Sequence, residues 1–149
     1  MAITRGRIAL LVCLCASTIV ASAESRKAGL WTITTTVTTS MGVMAPHSTD
    51  VCLSQAMIDK FGAPLPKLNG DCRITRLDKK ANSVSADMVC SGATVGKATM
   101  QSTWTGDHAS GSIHFVGTAP QPVEWTSNST SVFKSADCGA IQPLPLPAT

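Results

Sequence analysis

Two methionines and a histidine, each three residues apart, are the best candidates for metal chemistry in this sequence. Met41, Met44 and His47 lie in one short segment together with Pro46. Thioether sulfur prefers soft ions such as Cu(I), and imidazole also binds copper. The spacing would let the three side chains converge on one such ion. The simpler interpretation, which we favour, is that the flexible methionines fill gaps at the open end of a sheet. We therefore expect no cofactor.

The remaining polar residues do not form a recognisable catalytic set. Hydrolysis through a nucleophile requires a base within hydrogen-bond reach, and no G-x-S-x-G motif occurs among the many serines. His108 lies beside Asp107 in a glycine-bounded loop, which is typical of a solvated turn. His114 alternates with apolar neighbours and should point away from the core. No glycine loop of the phosphate-binding kind is present. The sequence predicts that the protein is not an enzyme.

The first 23 residues have the pattern of a secretory signal peptide. Arg5 and Arg7 precede an apolar run over residues 8–20, and the small residues Ala21 and Ala23 flank a cleavage position before Glu24. The apolar run is too short for a transmembrane anchor, which needs about 20 residues. We expect a periplasmic or secreted protein whose single domain spans residues 24–138.

Charge and composition exclude one class of partner. The chain has 12 basic and 9 acidic residues, and two of the basic ones fall in the signal peptide. The mature domain is therefore nearly neutral and has no basic stripe. Nucleic acid is not an expected partner, because binding it requires a concentrated positive surface.

Four cysteines remain after removal of the signal peptide, and an even number in an exported domain predicts two disulfides. They are Cys52, Cys72, Cys90 and Cys138. We favour Cys52–Cys72, which would close a loop around a short helix, together with Cys90–Cys138. The alternative pairs Cys72 with Cys90 across a hairpin and leaves Cys52–Cys138. Zinc binding is disfavoured, because no C-x-x-C pair is present.

The stretch between Cys72 and Cys90 is the centre of the predicted fold. Apolar residues alternate with polar ones in its second arm, at Val84, Ala86 and Met88, which is the pattern of a strand with one buried face. Charged and turn-forming residues separate this arm from the first. The pattern predicts an antiparallel hairpin.

The other predicted elements are strands and one helix. Ser54 is a suitable N-cap for a helix over residues 55–61, and Gly62 follows its end. A tail over residues 139–149 contains three prolines, and we expect it to be extended and disordered. Further strands are predicted over residues 28–39, 47–53, 95–105, 112–118 and 123–138. The fold class is thus all-β and mainly antiparallel, a meander of about seven strands curled into an open or half barrel, with two disulfides.

Several segments resemble the DUF3617 family of exported bacterial domains. They are Ala28-Gly29-Leu30-Trp31, Val51-Cys52-Leu53-Ser54, Gly70-Asp71-Cys72, Met88-Val89-Cys90 and Asp137-Cys138. The resemblance implies a small, β-rich, periplasmic or secreted protein and implies no activity. Many members carry a methionine- and proline-rich loop after the first strand, which is reduced here to Met41, Met44 and Pro46.

We expect the domain to bind something without catalysing a reaction. The partner would be an apolar ligand inside the curled sheet or an envelope protein at a sheet edge. Trp31, Trp104 and Trp125 are the candidate ligand-facing residues, although buried tryptophans are more often core residues. The alternatives are an inhibitor of a cell-wall-degrading enzyme, acting through loops at residues 40–46 and 106–111, and Cu(I) handling. The sequence identifies neither the ligand nor the oligomeric state.

Overall fold

The computed structural model describes residues 25–65, 71–92 and 94–146, so the predicted signal peptide lies outside the described residues. Within these ranges the chain forms one antiparallel sheet of eight strands and one helix. The strands are β1 (Gly29–Thr39), β2 (Gly42–Val43), β3 (His47–Leu53), β4 (Asp71–Lys79), β5 (Ser83–Ser91), β6 (Val95–Thr105), β7 (His108–Ala119) and β8 (Val123–Ser135), and the helix is α1 (Gln55–Phe61).

The sheet is open, and its strand order departs from a simple meander. Strands β4 to β8 pair consecutively, but β8 then pairs with β1, and β1 pairs with both β2 and β3. The all-β antiparallel class and the unclosed sheet are confirmed. The predicted meander holds for β4 to β8 only, because the first strand lies next to the last one. The additional strand is the two-residue β2, inside the loop expected at residues 40–46.

The helix has the predicted bounds and both predicted caps. The hydroxyl of Ser54 accepts a hydrogen bond from the backbone N–H of Met57 at 3.1 Å. Gly62 takes a left-handed conformation with φ of 75°, and its N–H donates to the carbonyl of Ile58 at 2.8 Å. Left-handed backbone favours glycine, which explains why the helix ends there.

Helix α1 covers the concave side of the open sheet. Met57, Ile58 and Phe61 are buried, and a Cβ on Gly62 would lie 3.2 Å from the indole of Trp104. The ammonium group of Lys79 on the edge strand β4 donates to the carbonyls of Ile58 and Asp59 at the end of the helix. The helix is thus attached to the edge strand β4, whereas β3, the strand that leads into the helix, lies at the opposite edge of the sheet.

The favoured disulfide pairing is wrong, and the alternative is observed. Cys72 bonds to Cys90, and Cys52 bonds to Cys138. Cys72 and Cys90 are direct partners in the register of β4 and β5. Strand β1 lies between β3, which contains Cys52, and β8, which leads to Cys138. Sequence spacing did not reveal this arrangement, because it depends on the pairing of β1 with β8.

The C-terminal segment is extended, but it is docked on the sheet rather than disordered over residues 139–146. The N–H of Leu144 donates to the carbonyl of Cys52 at 3.0 Å, and Pro143 forms an isolated parallel bridge with the same residue. Leu144 also packs against the core. This part of the tail therefore occupies the outer edge of β3 near Cys52. Residues 147–149 lie outside the described residues.

The two faces of the sheet differ sharply in chemistry. The concave face is mainly apolar, with buried serines at Ser102, Ser127 and Ser131, and with the helix it forms one core cluster that includes Trp31 and Phe115. The convex face is dominated by threonine and serine along β1, β6, β7 and β8. In the part of the chain that the structure describes, no helix has the length and apolar character needed to cross a membrane.

The two disulfides should differ in their contributions to stability. They close loops with sequence separations of 86 and 18 residues. Chain-entropy estimates give the longer loop an advantage of about 1.4 kcal/mol. Urea unfolding of Cys52→Ala/Cys138→Ala should therefore show a larger loss in the free energy of unfolding than Cys72→Ala/Cys90→Ala. An equal or reversed order would contradict this assignment of the bridges.

Candidate functional site

A row of small residues crosses the middle of the concave face. Ser102 of β6 pairs with Gly111 of β7, and Gly111 pairs with Ser129 of β8. Ser131, two residues further along β8, points to the same side and is buried. These residues line a partly open cavity of about 50 Å³. The side chains of larger residues would fill this space, so the cavity follows directly from the serines and the glycine.

Gly111 contributes by lacking a side chain. A Cβ at this position would lie 3.2 Å from both the carbonyl oxygen of Gln101 and the hydroxyl of Ser129. Such contacts are tighter than ordinary van der Waals separation. The absence of that atom leaves the floor of the cavity open between its serine neighbours.

Apolar residues form part of the cavity lining. Met100 and Ile113 are cross-strand partners on β6 and β7, and Ile33 on β1 and Pro64 after helix α1 also line the cavity. The rest of the lining is polar and includes Gln101, Ser110 and Ser112. The cavity thus combines polar groups with hydrocarbon.

One charged side chain lies in this cavity, and it is nearly inaccessible. Arg26 is 3% exposed, and its guanidinium carbon lies 4.5 Å from the ring centroid of Trp31. The Nε and Nη2 atoms are buried, and neither has a hydrogen-bond partner among the described residues. Buried guanidinium groups are normally paired, because an unpaired charge in an apolar setting is costly.

The segment that follows Arg26 is fixed by contacts of Lys27 and Gly29. The indole N–H of Trp31 donates to the carbonyl of Lys27 at 2.9 Å, and the ammonium group of Lys27 pairs with Asp107 at 2.6 Å. Gly29 has φ of 131°, and a Cβ there would lie 2.3 Å from the carbonyl oxygen of Ser135. Only glycine fits this close approach to β8. The position of Arg26 is thus set by the backbone around it.

Burial changes the protonation equilibrium of Arg26 but not its charge at neutral pH. Desolvation lowers the pKa of its guanidinium to about 10. This value is still well above neutral, so the group stays protonated. The cation–π contact with Trp31 offsets part of the desolvation cost, since such contacts strengthen away from water. No carboxylate among the described residues forms an ion pair with it.

The comparison with family models decides the relationship of this chain to known proteins. The model of DUF3617, described as a protein of unknown function, matches residues 26–138. The chain belongs to the DUF3617 family. A search of curated proteins and a search of solved structures each returned no significant match. The resemblance seen in the sequence is therefore confirmed, and the match to the DUF3617 model begins at Arg26.

In this DUF3617 domain the three tryptophans have different surroundings. Trp31 and Trp104 are buried in the core, and Trp125 is half-buried and stacks on Phe115 with centroids 5.4 Å apart. None of the three is among the described residues that line the cavity, although Trp31 contacts Arg26, which does. A ligand-facing role for the tryptophans stays a prediction.

The candidate copper ligands lie far out on the surface. Met41 is 95% exposed at the turn between β1 and β2, and Met44 is 59% exposed just after β2. His47 is also exposed, at the first position of β3. The methionines therefore do not fill a gap at the end of the sheet. Val43 between them is 70% exposed, so the hairpin tip is an apolar projection.

The histidines considered for catalysis lie outside the cavity. His108 and His114 are both exposed, and the Nε2 atom of His114 is 2.8 Å from a carboxylate oxygen of Glu124. Asp107 pairs with Lys27 instead of His108. Both histidines are exposed, but the loop predicted over residues 106–111 is wrong beyond its first two residues, because His108 begins strand β7 and pairs with Thr105 of β6.

Arg26 is the residue that sequence reasoning missed. It lies two residues after the predicted cleavage position, where basic residues are unremarkable. The only local signal is its place just before the threonine-rich first strand. Its burial depends on the cavity built by β6, β7 and β8, which are distant in sequence.

We predict that Arg26→Met is at least as stable as the wild type. Methionine keeps most of the aliphatic stem and removes a desolvated charge, and such replacements are often neutral or stabilising. Urea unfolding measures the difference, with Trp31→Ala as the comparison, which should lose about 3–5 kcal/mol. A loss of more than about 1 kcal/mol for Arg26→Met would show that the guanidinium serves the fold rather than a ligand.

Proposed function

We propose that this DUF3617 domain is exported and binds a small molecule in its concave cavity without catalysing a reaction. The observation that carries the proposal is the row of Ser102, Gly111 and Ser129, which leaves a cavity on the face that also holds the core cluster. The two disulfides are compatible with an oxidising compartment outside the cytoplasm.

The size of the cavity limits the ligand. The interior of the curled sheet is largely filled by Trp31, Trp104 and Met100 together with helix α1. The remaining space of about 50 Å³ compares with about 30 Å³ for one water molecule in the liquid. A few heavy atoms fit, or one end of a longer molecule. This supports a small ligand with an apolar part and disfavours a fully enclosed lipid.

A non-enzymatic role is supported by the chemistry around the cavity. General acid–base or nucleophilic catalysis requires a group that gains or loses a proton near neutral pH or is activated by one that does. Arg26 keeps its proton at neutral pH, and the hydroxyl of Ser102 donates to the carbonyl of Ser110 at 3.1 Å. His108 and His114 are exposed elsewhere.

Strand addition at the sheet edges has less support than cavity binding. The edge strand β4 carries Arg73, Arg76 and Asp78, and charge on an edge strand opposes pairing with another chain. The opposite edge, at Cys52 of β3, already accepts a hydrogen bond from Leu144 of the C-terminal segment. Both edges are therefore partly protected.

The proposal is tested by native mass spectrometry of the protein recovered from its exported compartment without reduction. The expected wild-type spectrum contains a small-molecule adduct on the mature chain. Ser129→Leu, which places a larger side chain in the cavity, should lose the adduct. Thr130→Leu, the neighbouring change on the opposite face of β8, should keep it. A bare mass for all three proteins, or an adduct retained by Ser129→Leu, would overturn the proposal.

A second candidate function rests on the exposed hairpin tip at Met41, Val43 and Met44. Large apolar side chains that project into water usually mark a contact surface. Two chemistries suit this tip: soft-metal binding by the methionines with His47, and insertion into a groove of a partner such as a cell-wall-degrading enzyme. Copper binding is the more specific hypothesis of the two, because the preference of Cu(I) for thioether and imidazole groups identifies which side chains would bind it.

For copper, the expected result is that the wild type competes with a Cu(I) chelator and that Met41→Ala/Met44→Ala does not. Both residues are exposed, so the double variant should keep the wild-type unfolding midpoint. Met57→Ala is not a suitable control, because that residue is buried. No uptake of Cu(I) by the wild type would end the copper interpretation and leave protein contact as the role of the tip.

A further inference from the structure

The guanidinium of Arg26 is the polar group in this fold that most requires an explanation. Three facts coincide: 3% exposure, two buried nitrogens without hydrogen-bond partners among the described residues, and a place in the lining of the concave cavity. A protonated guanidinium offers donors only, so what is missing is an acceptor. The most favourable acceptor for a cation is an anion.

The form of the cavity restricts that anion. Guanidinium and carboxylate are both planar and match in a bidentate arrangement. The space of about 50 Å³ suits a compact head group, and the hydroxyl of Ser131 can donate to a second oxygen, whereas that of Ser129 already donates to the carbonyl of Gly111 at 3.4 Å. The walls at Ile33 and Ile113 are hydrocarbon, so the group attached to the carboxylate should be apolar.

We infer that the ligand of the concave cavity is a small monocarboxylate whose carboxylate pairs with Arg26 and whose short apolar group contacts Ile33, Met100 and Ile113. This inference rests on the proposed function and adds the chemical class of its ligand. Trp31 is a positioning residue in this arrangement. Its ring lies 4.5 Å from the guanidinium carbon and restricts the positions that the guanidinium can take.

The inference also accounts for the small residues on the floor. A carboxylate in a low-dielectric cavity is as costly as the arginine, and each is tolerated only when the other is present. The hydroxyl of Ser131 gives the carboxylate a further hydrogen-bond donor without adding a second charge. Larger polar residues would supply a competing internal partner for Arg26 and fill the space.

The test is a titration of the isotope-labelled mature protein followed by two-dimensional NMR, which measures weak affinities and locates the site. The probes are sodium butyrate, its neutral isostere butyramide, and inorganic phosphate. We expect butyrate to shift the backbone amides of Ser102, Gly111 and Ser129. Butyramide should bind at least tenfold more weakly, because it lacks the charge that Arg26 requires, and phosphate should also bind at least tenfold more weakly, because it has no apolar group.

The matched variants are Arg26→Met and Arg73→Met. Arg73 is exposed on β4, away from the cavity, so the same chemical change there should leave butyrate affinity unchanged. Arg26→Met should weaken butyrate binding at least tenfold. The butyrate affinity of Arg26→Lys should lie between those of the wild type and Arg26→Met, because lysine keeps the charge but lacks the planar guanidinium. This variant also serves if Arg26→Met fails to fold.

The outcomes separate this inference from the proposed function. Equal binding of butyrate and butyramide would overturn the carboxylate inference and leave a cavity that binds apolar molecules. Phosphate binding as tight as butyrate, lost in Arg26→Met, would make the site a general anion site and overturn the monocarboxylate assignment. Binding of none of the probes would overturn the inference. The proposed function would then be decided separately, by whether native mass spectrometry finds a small-molecule adduct on the wild-type protein.

Discussion

Desolvation of one cation is the constraint on which the rest of this structure depends. A protonated guanidinium without an ion-pair partner opposes folding, because it exchanges water for an environment that solvates it poorly. Arg26 is held in this state by its contact with Trp31 and by the backbone that follows it, where the carbonyl of Lys27 accepts a hydrogen bond from the Trp31 indole. The fold must therefore supply stability elsewhere, and it must prevent the arginine from turning outward.

The stability comes from a single core on the concave side of the sheet. An open sheet cannot cover its own inner face, so a separate element has to do so. Helix α1 takes this role, and Lys79 attaches its C-terminal end to the edge strand β4. The two disulfides act at different places, one across the β4–β5 hairpin and the other between the end of β3 and the end of the chain. Together they restrain both edges of the sheet.

Local pattern was sufficient to predict most of the elements. The caps at Ser54 and Gly62 defined the helix, because each satisfies a specific backbone requirement at its end. The alternation at Val84, Ala86 and Met88 correctly placed these residues on the buried face. These predictions depend on neighbours within a few residues, which is the information that a single sequence contains.

The features that were missed all depend on contacts distant in sequence. The pairing of β1 with β8 determines the Cys52–Cys138 bridge, and nothing near either cysteine encodes it. The burial of Arg26 likewise requires Ser102, Gly111 and Ser129, which lie on three other strands. Only the assembled sheet locates them in one row beside a charge.

The side-chain resonance of Arg26 offers the most direct test of this account. Its Nε–H proton should exchange slowly with solvent and should be displaced by the ring current of Trp31, whose centroid lies 4.5 Å from the guanidinium carbon. Exposed Arg73 and Arg76 in the same spectrum provide the reference. A shielded, slowly exchanging Arg26 proton would establish that the cation is buried against the indole of Trp31. Exchange as fast as that of the two reference arginines, at an unshifted position, would contradict it.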